Sequence, residues 1–170
     1  MESIGCATVT PGLGLIVGGN QFANGISNDV YLFTASDGSL EQISSLEDQT
    51  IGMVCYRTVL SGPAEKLVII CTGGRFANSN PSGKTYVYDI TTGVFEKRLM
   101  WDFPAASLGE AMLGHLTHDR KMTVQTASGV YLFKGGELSQ ATGSYWHKMD
   151  VNLPIGFSAP FNLRYAGPVF

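Results

Sequence analysis

The chain has 170 residues, of which 44% are hydrophobic and 15% charged, with 21 glycines, 7 prolines and a formal net charge of −3. That balance excludes a disordered chain, which needs low hydrophobicity and high charge, and a coiled coil, which is built from Ala, Glu, Lys, Leu and Arg. No basic run is present to follow a phosphate backbone, and no stretch of ~20 apolar residues is present to span a bilayer, so neither a nucleic-acid partner nor a membrane span is expected.

The length suits one domain able to bury a core without disulfide staples. Cys6, Cys55 and Cys71 do not make a disulfide framework. No Asn-x-Ser/Thr acceptor occurs, because Asn80-Pro81-Ser82 carries the forbidden proline. No basic segment precedes an apolar one at the N-terminus, so no signal peptide is expected. These features lean towards a reducing, cytoplasmic setting.

In chain order, Thr8-Val9 leads through the turn Thr10-Pro11-Gly12 into an apolar strand, Leu13 to Val17. Val30-Tyr31-Leu32-Phe33 is β-branched and aromatic, as are Val54–Leu60, Lys66–Cys71, Thr85–Tyr88, Met122–Thr126 and Val130–Phe133. Turn clusters Ser36-Asp37-Gly38, Ser61-Gly62-Pro63 and Thr91-Thr92-Gly93 separate them. Ser44-Ser45-Leu46-Glu47 has capping-box spacing, but Gly52 follows too soon for a helix, so a turn is expected. Many short strands divided by turns predict an all-β sandwich, barrel or propeller.

An internal repeat chooses among these. Gly18-Gly19 and Gly73-Gly74 each end an apolar run and lie 55 residues apart. Phe22-Ala23-Asn24 follows the first pair and Phe76-Ala77-Asn78, preceded by Arg75, follows the second. Phe33 and Tyr88-Asp89 keep the offset of 55, and so do Leu40 and Phe95. The pattern resembles the kelch repeat, in which an apolar strand ends in Gly-Gly, a variable loop leads to a strand ending in Tyr-Asp, and an aromatic follows on the outer strand. The usual Trp is replaced by Leu40 and Phe95, which keep an apolar residue at that position. A third unit is degenerate. Glu110–Leu116 and Met122–Thr126 predict a hairpin around His118-Asp119-Arg120, Val130–Phe133 repeats Val30–Phe33, and Trp146 supplies the outer-strand aromatic. A second register, with Gly135-Gly136 as the glycine pair, is also open.

The resemblance implies kelch-like propeller blades at about 3–45, 50–100 and 108–152, each a four-stranded antiparallel sheet. Residues 155–170 would start a further blade or supply a closing strand. Kelch units run ~50 residues and propellers close with about four to eight blades. The chain is therefore expected to form an incomplete ring, either as part of a longer chain or completed by a protein partner or by additional copies. Trp101-Asp102 and Gly114-His115 invoke the WD40 propeller, but there GH precedes WD, the reverse of the order here.

Little chemistry is visible. Ser82-Gly83-Lys84-Thr85 lacks the upstream glycine of a phosphate loop and leads into a strand, not a helix. His115 and His118, three apart, point to opposite faces of a strand, and His147 reads as a surface residue. Pairing Leu60 with Lys66 would place Cys55 directly opposite Cys71, as two small buried thiols. No catalytic residues, metal ligands or cofactor are expected. The kelch resemblance implies a protein-interaction or assembly module that binds through the loops after the glycine pairs, with Phe22, Asn24, Arg75, Phe76 and Asn78 as contacts. Aromatic side chains and Arg are typical hot spots. The competing reading of those residues is loop packing, with Phe tucked beneath and Asn bonding its own turn. The alternatives of other kinds are a carbohydrate-binding or galactose-oxidase-like enzyme piece, and a structural subunit of a large complex.

Overall fold

The structure, a computed structural model, describes residues 4–21, 25–60, 64–78, 80, 82–98, 102, 111–116, 122–126, 129–133 and 146–149. These residues form fourteen β-strands and no helix. They build three antiparallel four-stranded sheets, each a simple up-and-down meander except for one short excursion in the second.

The first sheet contains β1 (Gly5–Thr10), β2 (Leu13–Gln21), β3 (Gly25–Thr34) and β4 (Ser39–Ser45), in that order. The excursion begins with β5 (Thr50–Ile51). The second sheet contains β6 (Val54–Leu60) and β7 (Lys66–Thr72), then, after β8 (Arg75–Phe76), β9 (Thr85–Asp89) and β10 (Phe95–Lys97). The third contains β11 (Ala111–Leu116), β12 (Met122–Thr126), β13 (Gly129–Phe133) and β14 (Trp146–Lys148).

The 55-residue repeat holds in the hydrogen-bond ladders. Ile16 lies opposite Tyr31, and Cys71 opposite Tyr86. Phe33 lies opposite Leu40, and Tyr88 opposite Phe95. In the third sheet Phe133 faces Trp146, so Trp146 takes the place of Leu40 and Phe95. In that sheet β12 pairs with β13, Thr126 opposite Gly129, and β13 pairs with β14, while Gly135-Gly136 lies outside the described residues. The predicted Cys55–Cys71 juxtaposition is present in the β6–β7 ladder, with both thiols unbridged.

Successive residues of a strand point to opposite faces, and this sets the packing. Val9, Leu15, Val17 and Val30 of the first sheet bury one face against Ile69, Cys71, Tyr86 and Tyr88 of the second. Val68, Ile70 and Val87, on the opposite face of the second sheet, are buried too. The second sheet is thus covered on both sides, and its strands read as near-continuous apolar runs for that reason. The first strands of the three sheets are neighbours, β1 beside β6 and β6 beside β11. At the β1–β6 approach a Cβ on Gly5 would stand 2.8 Å from the Cys55 sulfur.

The double glycines have a definite structural role. Gly18, Gly19, Gly73 and Gly74 all have positive φ, at 58°, 107°, 74° and 80°. A Cβ on Gly18 would lie 2.3 Å from the Thr50 carbonyl oxygen, and one on Gly74 would lie 2.5 Å from that of Ile51. Both glycines therefore close on β5, the segment that joins the first sheet to the second. Backbone can pass there because no side chain stands in the way.

The sequence understates several elements. β4 extends to Ser45, reaching the stretch expected to be a turn, and only its end at Leu46 bends away. The segment after Gly18-Gly19 is not an open loop from Asn20 to Asn28. Past a bulge at Val17/Gly19 the β2–β3 ladder resumes, with Gly19 opposite Ser27 and Gln21 opposite Gly25. The reason is that Asn20 and Gln21 still pair by backbone, which side-chain polarity does not reveal. The expected closing segment, residues 155–170, lies outside the described residues.

Candidate functional site

Of the loop residues singled out in the sequence, Phe22 and Asn24 lie outside the described residues. Arg75, Phe76 and Asn78 are described, and the structure brings them into one anchored loop. Arg75 and Phe76 form β8, pairing with Ile51 and Thr50 of β5. The loop folds back on itself: the Phe76 amide donates to the Asn80 carbonyl at 2.9 Å, and the Ser82 amide donates to the Gly74 carbonyl at 2.8 Å. The Asn80 amide donates to the Asn78 side-chain oxygen at 3.0 Å, so Asn78 caps its own turn. Ser82 is buried, and its hydroxyl accepts from the Lys84 amide at 3.3 Å. Arg75 and Phe76 are half-buried, while Ala77, Asn78 and Asn80 are exposed. The Phe76 ring is thus neither fully displayed nor tucked away.

Beside this loop lies a charged cluster that no local sequence motif marks. Lys84 Nζ bonds Glu47 at 2.8 Å, pairs with Asp48, and sits 5.9 Å above the centre of the Phe76 ring. Lys97 reaches the same Glu47 oxygen at 2.5 Å. The Glu47 amide donates to the Tyr86 hydroxyl at 3.1 Å. Bonds from Lys84 and then from Lys97 hold the Glu47 carboxyl below its ordinary range. Desolvation works against the charged form of Lys84, but Asp48 and Glu47 outweigh it and hold the ammonium charged. Asp102 accepts from the Thr85 amide at 2.9 Å, and burial pushes its carboxyl up. The cluster grips the linker that leaves the first sheet. Only long-range pairing places residues 47, 84 and 97 together, so no local spacing marks them.

The other sequence features fall as follows. Ser82-Gly83-Lys84-Thr85 leads into strand β9, with the Lys84 ammonium committed to carboxylates rather than open to a phosphate. His147 is exposed on β14, His115 lies on β11, and His118 and Trp101 lie outside the described residues. Among the described residues no three His, Cys, Asp or Glu side chains group closely enough to hold a metal ion. Among them, too, no helix is long and apolar enough to cross a membrane. Burial and the neighbouring thiol set the Cys55 chemistry: the Cys71 contact first, then desolvation, push its ionisation well up, the opposite of an activated nucleophile.

No protein-family model matches the chain, and no curated protein matches it.

Proposed function

We propose that this chain is a segment of a kelch-like propeller and serves as a non-enzymatic interaction module, binding a protein partner through the loops that follow its glycine pairs. The observation that carries this reading is the anchored loop 75–84. β8 is stitched to β5, and the turn above it is capped from within, so the exposed tip at Ala77, Asn78 and Asn80 is presented on a rigid base. A rigid tip loses little entropy on binding, which is the usual requirement of a recognition loop. Arg75 and Phe76 lie at the root of that tip, where an aromatic and a guanidinium contribute most. The blade-like reading is supported by three meander sheets sharing one register, with their first strands side by side.

The test is affinity capture with the immobilised chain beside an Arg75→Ala/Asn78→Ala variant whose circular dichroism matches wild type. A protein retained by wild type and lost from the variant is the expected result. Retention that ignores these substitutions would remove the loop from the reading.

A further inference from the structure

The second sheet holds two thiols in a ladder position from which a disulfide can close. Cys55 of β6 lies directly opposite Cys71 of β7, in a ladder that runs unbroken from Val54–Thr72 to Leu60–Lys66. Opposite pairs in an antiparallel ladder alternate between hydrogen-bonded and non-hydrogen-bonded kinds. In the second kind the Cα atoms come to ~4.5 Å and the side chains stand closer. The bonds on the other side of β7 decide which kind this is. The Ile90 amide donates to the Leu67 carbonyl at 3.1 Å, so Leu67 turns its backbone groups towards β9. Orientation alternates along a strand, so Ile69 and Cys71 turn theirs towards β9 as well, where Cys71 pairs with Tyr86. The far side of β9 agrees. The Arg98 amide donates to the Thr85 carbonyl and the Asp89 amide to the Val94 carbonyl, which leaves Tyr86 facing β7. Cys55 and Cys71 are therefore a non-hydrogen-bonded pair. Their spacing falls within the ~4.4–6.8 Å that a disulfide spans between Cα atoms.

The surroundings fix the partners. Gly5 of β1 stands over Cys55, and a Cβ on it would lie 2.8 Å from the Cys55 sulfur. The sulfur thus fills space that a side chain would take. Cys6, the next residue, points to the opposite face of β1 and is exposed, which leaves Cys71 as the thiol that Cys55 meets. The repeat sharpens the pairing. Tyr31, Tyr86 and Tyr131 hold one place in the three sheets, and their neighbours on the preceding strand are Ile16, Cys71 and Val124. Opposite those lie Cys6, Cys55 and Gly114. The first and third sheets use a β-branched residue on the inner strand, and only the second sets thiol against thiol. Cys71 is fully buried, and Cys55 packs against the core shared with the first sheet, so the finished fold seals the pair. The Cys71 contact and desolvation also keep the Cys55 thiol protonated, and a protonated thiol does not attack a disulfide. The state of the pair is then set while the chain is still open.

We propose that Cys55 and Cys71 are a disulfide site whose state is fixed during folding: a small-molecule disulfide such as oxidised glutathione leads to a bridged pair, and the closed sheet then keeps it bridged. In the open chain the Cys55 thiolate attacks the small disulfide. Its S–S bond breaks, and one small thiolate leaves and takes up the proton that Cys55 gave up. As β6 and β7 pair, the Cys71 thiolate attacks the Cys55 sulfur of the mixed disulfide, and the second small thiolate leaves with the Cys71 proton. Two cysteines are oxidised to one bridge, and one small disulfide is reduced to two thiols. The bridge staples the β6–β7 hairpin, from which the chain runs through Gly73-Gly74 into the 75–84 loop.

Refolding the full chain from urea tests this, in parallel with a glutathione redox pair and with dithiothreitol. The Cys6→Ser chain serves first, so that no third thiol competes. The glutathione-refolded chain should have lost the mass of two hydrogens. Trypsin, cutting after Arg57 and Lys66, should release the Cys55 and Cys71 peptides joined until reduced. Closing a loop of ~15 residues, about the span from 55 to 71, should lower the unfolding constant on the order of 100-fold relative to the dithiothreitol-refolded chain. While folded, the chain should keep its bridge in dithiothreitol and lose it once urea opens the sheet. Cys55→Ala, at a half-buried position, should remove both the bridge and the dependence of the urea midpoint on the refolding condition. Failure to bridge, a lasting glutathione adduct, a bridge that leaves the midpoint unmoved, or prompt reduction in the folded chain would each overturn the proposal. In the chain that keeps Cys6, a main product linking Cys6 to either other cysteine would overturn it too.

Discussion

Replacing Gly18 or Gly74 with Ala tests the fit of β5 against the glycine pairs. Two separable costs arise. The first is conformational: at φ of 58° and 80° an added Cβ crowds the backbone, by about 1–2 kcal/mol. The second is steric. The new methyl would lie 2.3 Å from the Thr50 oxygen in one case and 2.5 Å from the Ile51 oxygen in the other. Those atoms are backbone held in the β5–β8 pairing, so they cannot swing aside like the end of a flexible side chain. Overpacking of this kind costs typically ~1–3 kcal/mol. Gly12→Ala isolates the first cost, because Gly12 has φ of 82° and nothing within 4 Å of its would-be Cβ. Gly12→Ala should therefore lose about 1–2 kcal/mol, and Gly18→Ala and Gly74→Ala about 2–5 kcal/mol. In urea, with a slope of about 2 kcal/mol/M for a chain of this size, the extra loss moves the midpoint down by roughly 0.5–1.5 M beyond the Gly12 variant. Midpoints read by circular dichroism and by tyrosine fluorescence should agree. If all three variants lose the same stability, the linker is not seated on the glycines and the packing argument fails.

Three further outcomes follow from other parts of the structure. Glu47 is held below its ordinary range by Lys84 and Lys97, so the folded chain takes up that proton less readily than the unfolded one. The stabilisation is present above the usual carboxylate range and is lost as pH falls through the depressed value. Urea midpoints of wild type and Glu47→Gln should accordingly differ near neutrality and converge in acid; a gap independent of pH would exclude the ion cluster as its cause. The Thr72 and Thr85 hydroxyls bond each other at 2.7 Å at the fully buried end of the β7–β9 ladder. A double-mutant cycle to Val should show a coupling of about 1 kcal/mol, and strictly additive losses would contradict the bond. Cys55 and Cys71 should resist alkylation in the native chain at about pH 8 and react only on unfolding, since Cys71 is buried and the Cys55 thiol is held protonated. Rapid native labelling of either would mean that β6 and β7 part easily.

The strand positions and the repeat were legible because both are carried by local signals. Val30–Phe33, Lys66–Cys71 and Thr85–Tyr88 are apolar enough to announce themselves, and matching offsets expose the shared register in the sequence alone. Even the Cys55–Cys71 contact followed from one assumed hairpin pairing. β4 and the β2–β3 extension were not legible. Ser39–Ser45 is largely polar, Gly19–Gln21 carries turn residues, and both are strands only because a neighbour supplies backbone hydrogen bonds. The candidate loop was found by its aromatic and amide spacing, yet what fixes it was hidden. The β5–β8 pairing joins residues 50–51 to 75–76, and the Glu47–Lys84–Lys97 cluster joins positions up to 50 residues apart.

Those hidden contacts share one location, and that location explains why they matter. The linker from Leu46 to Met53 buries Leu46, Ile51 and Met53, presses β5 on Gly18 and Gly74, and presents Glu47 and Asp48 to Lys84 and Lys97. It holds the second sheet on the first and, through β8, holds the exposed tip at Asn78. Sheet-to-sheet packing and loop presentation are therefore one device. The first sheet carries Asp29 and Gln42 where the second carries Lys84 and Lys97, so the ionic part of the device belongs to the second sheet alone among these two.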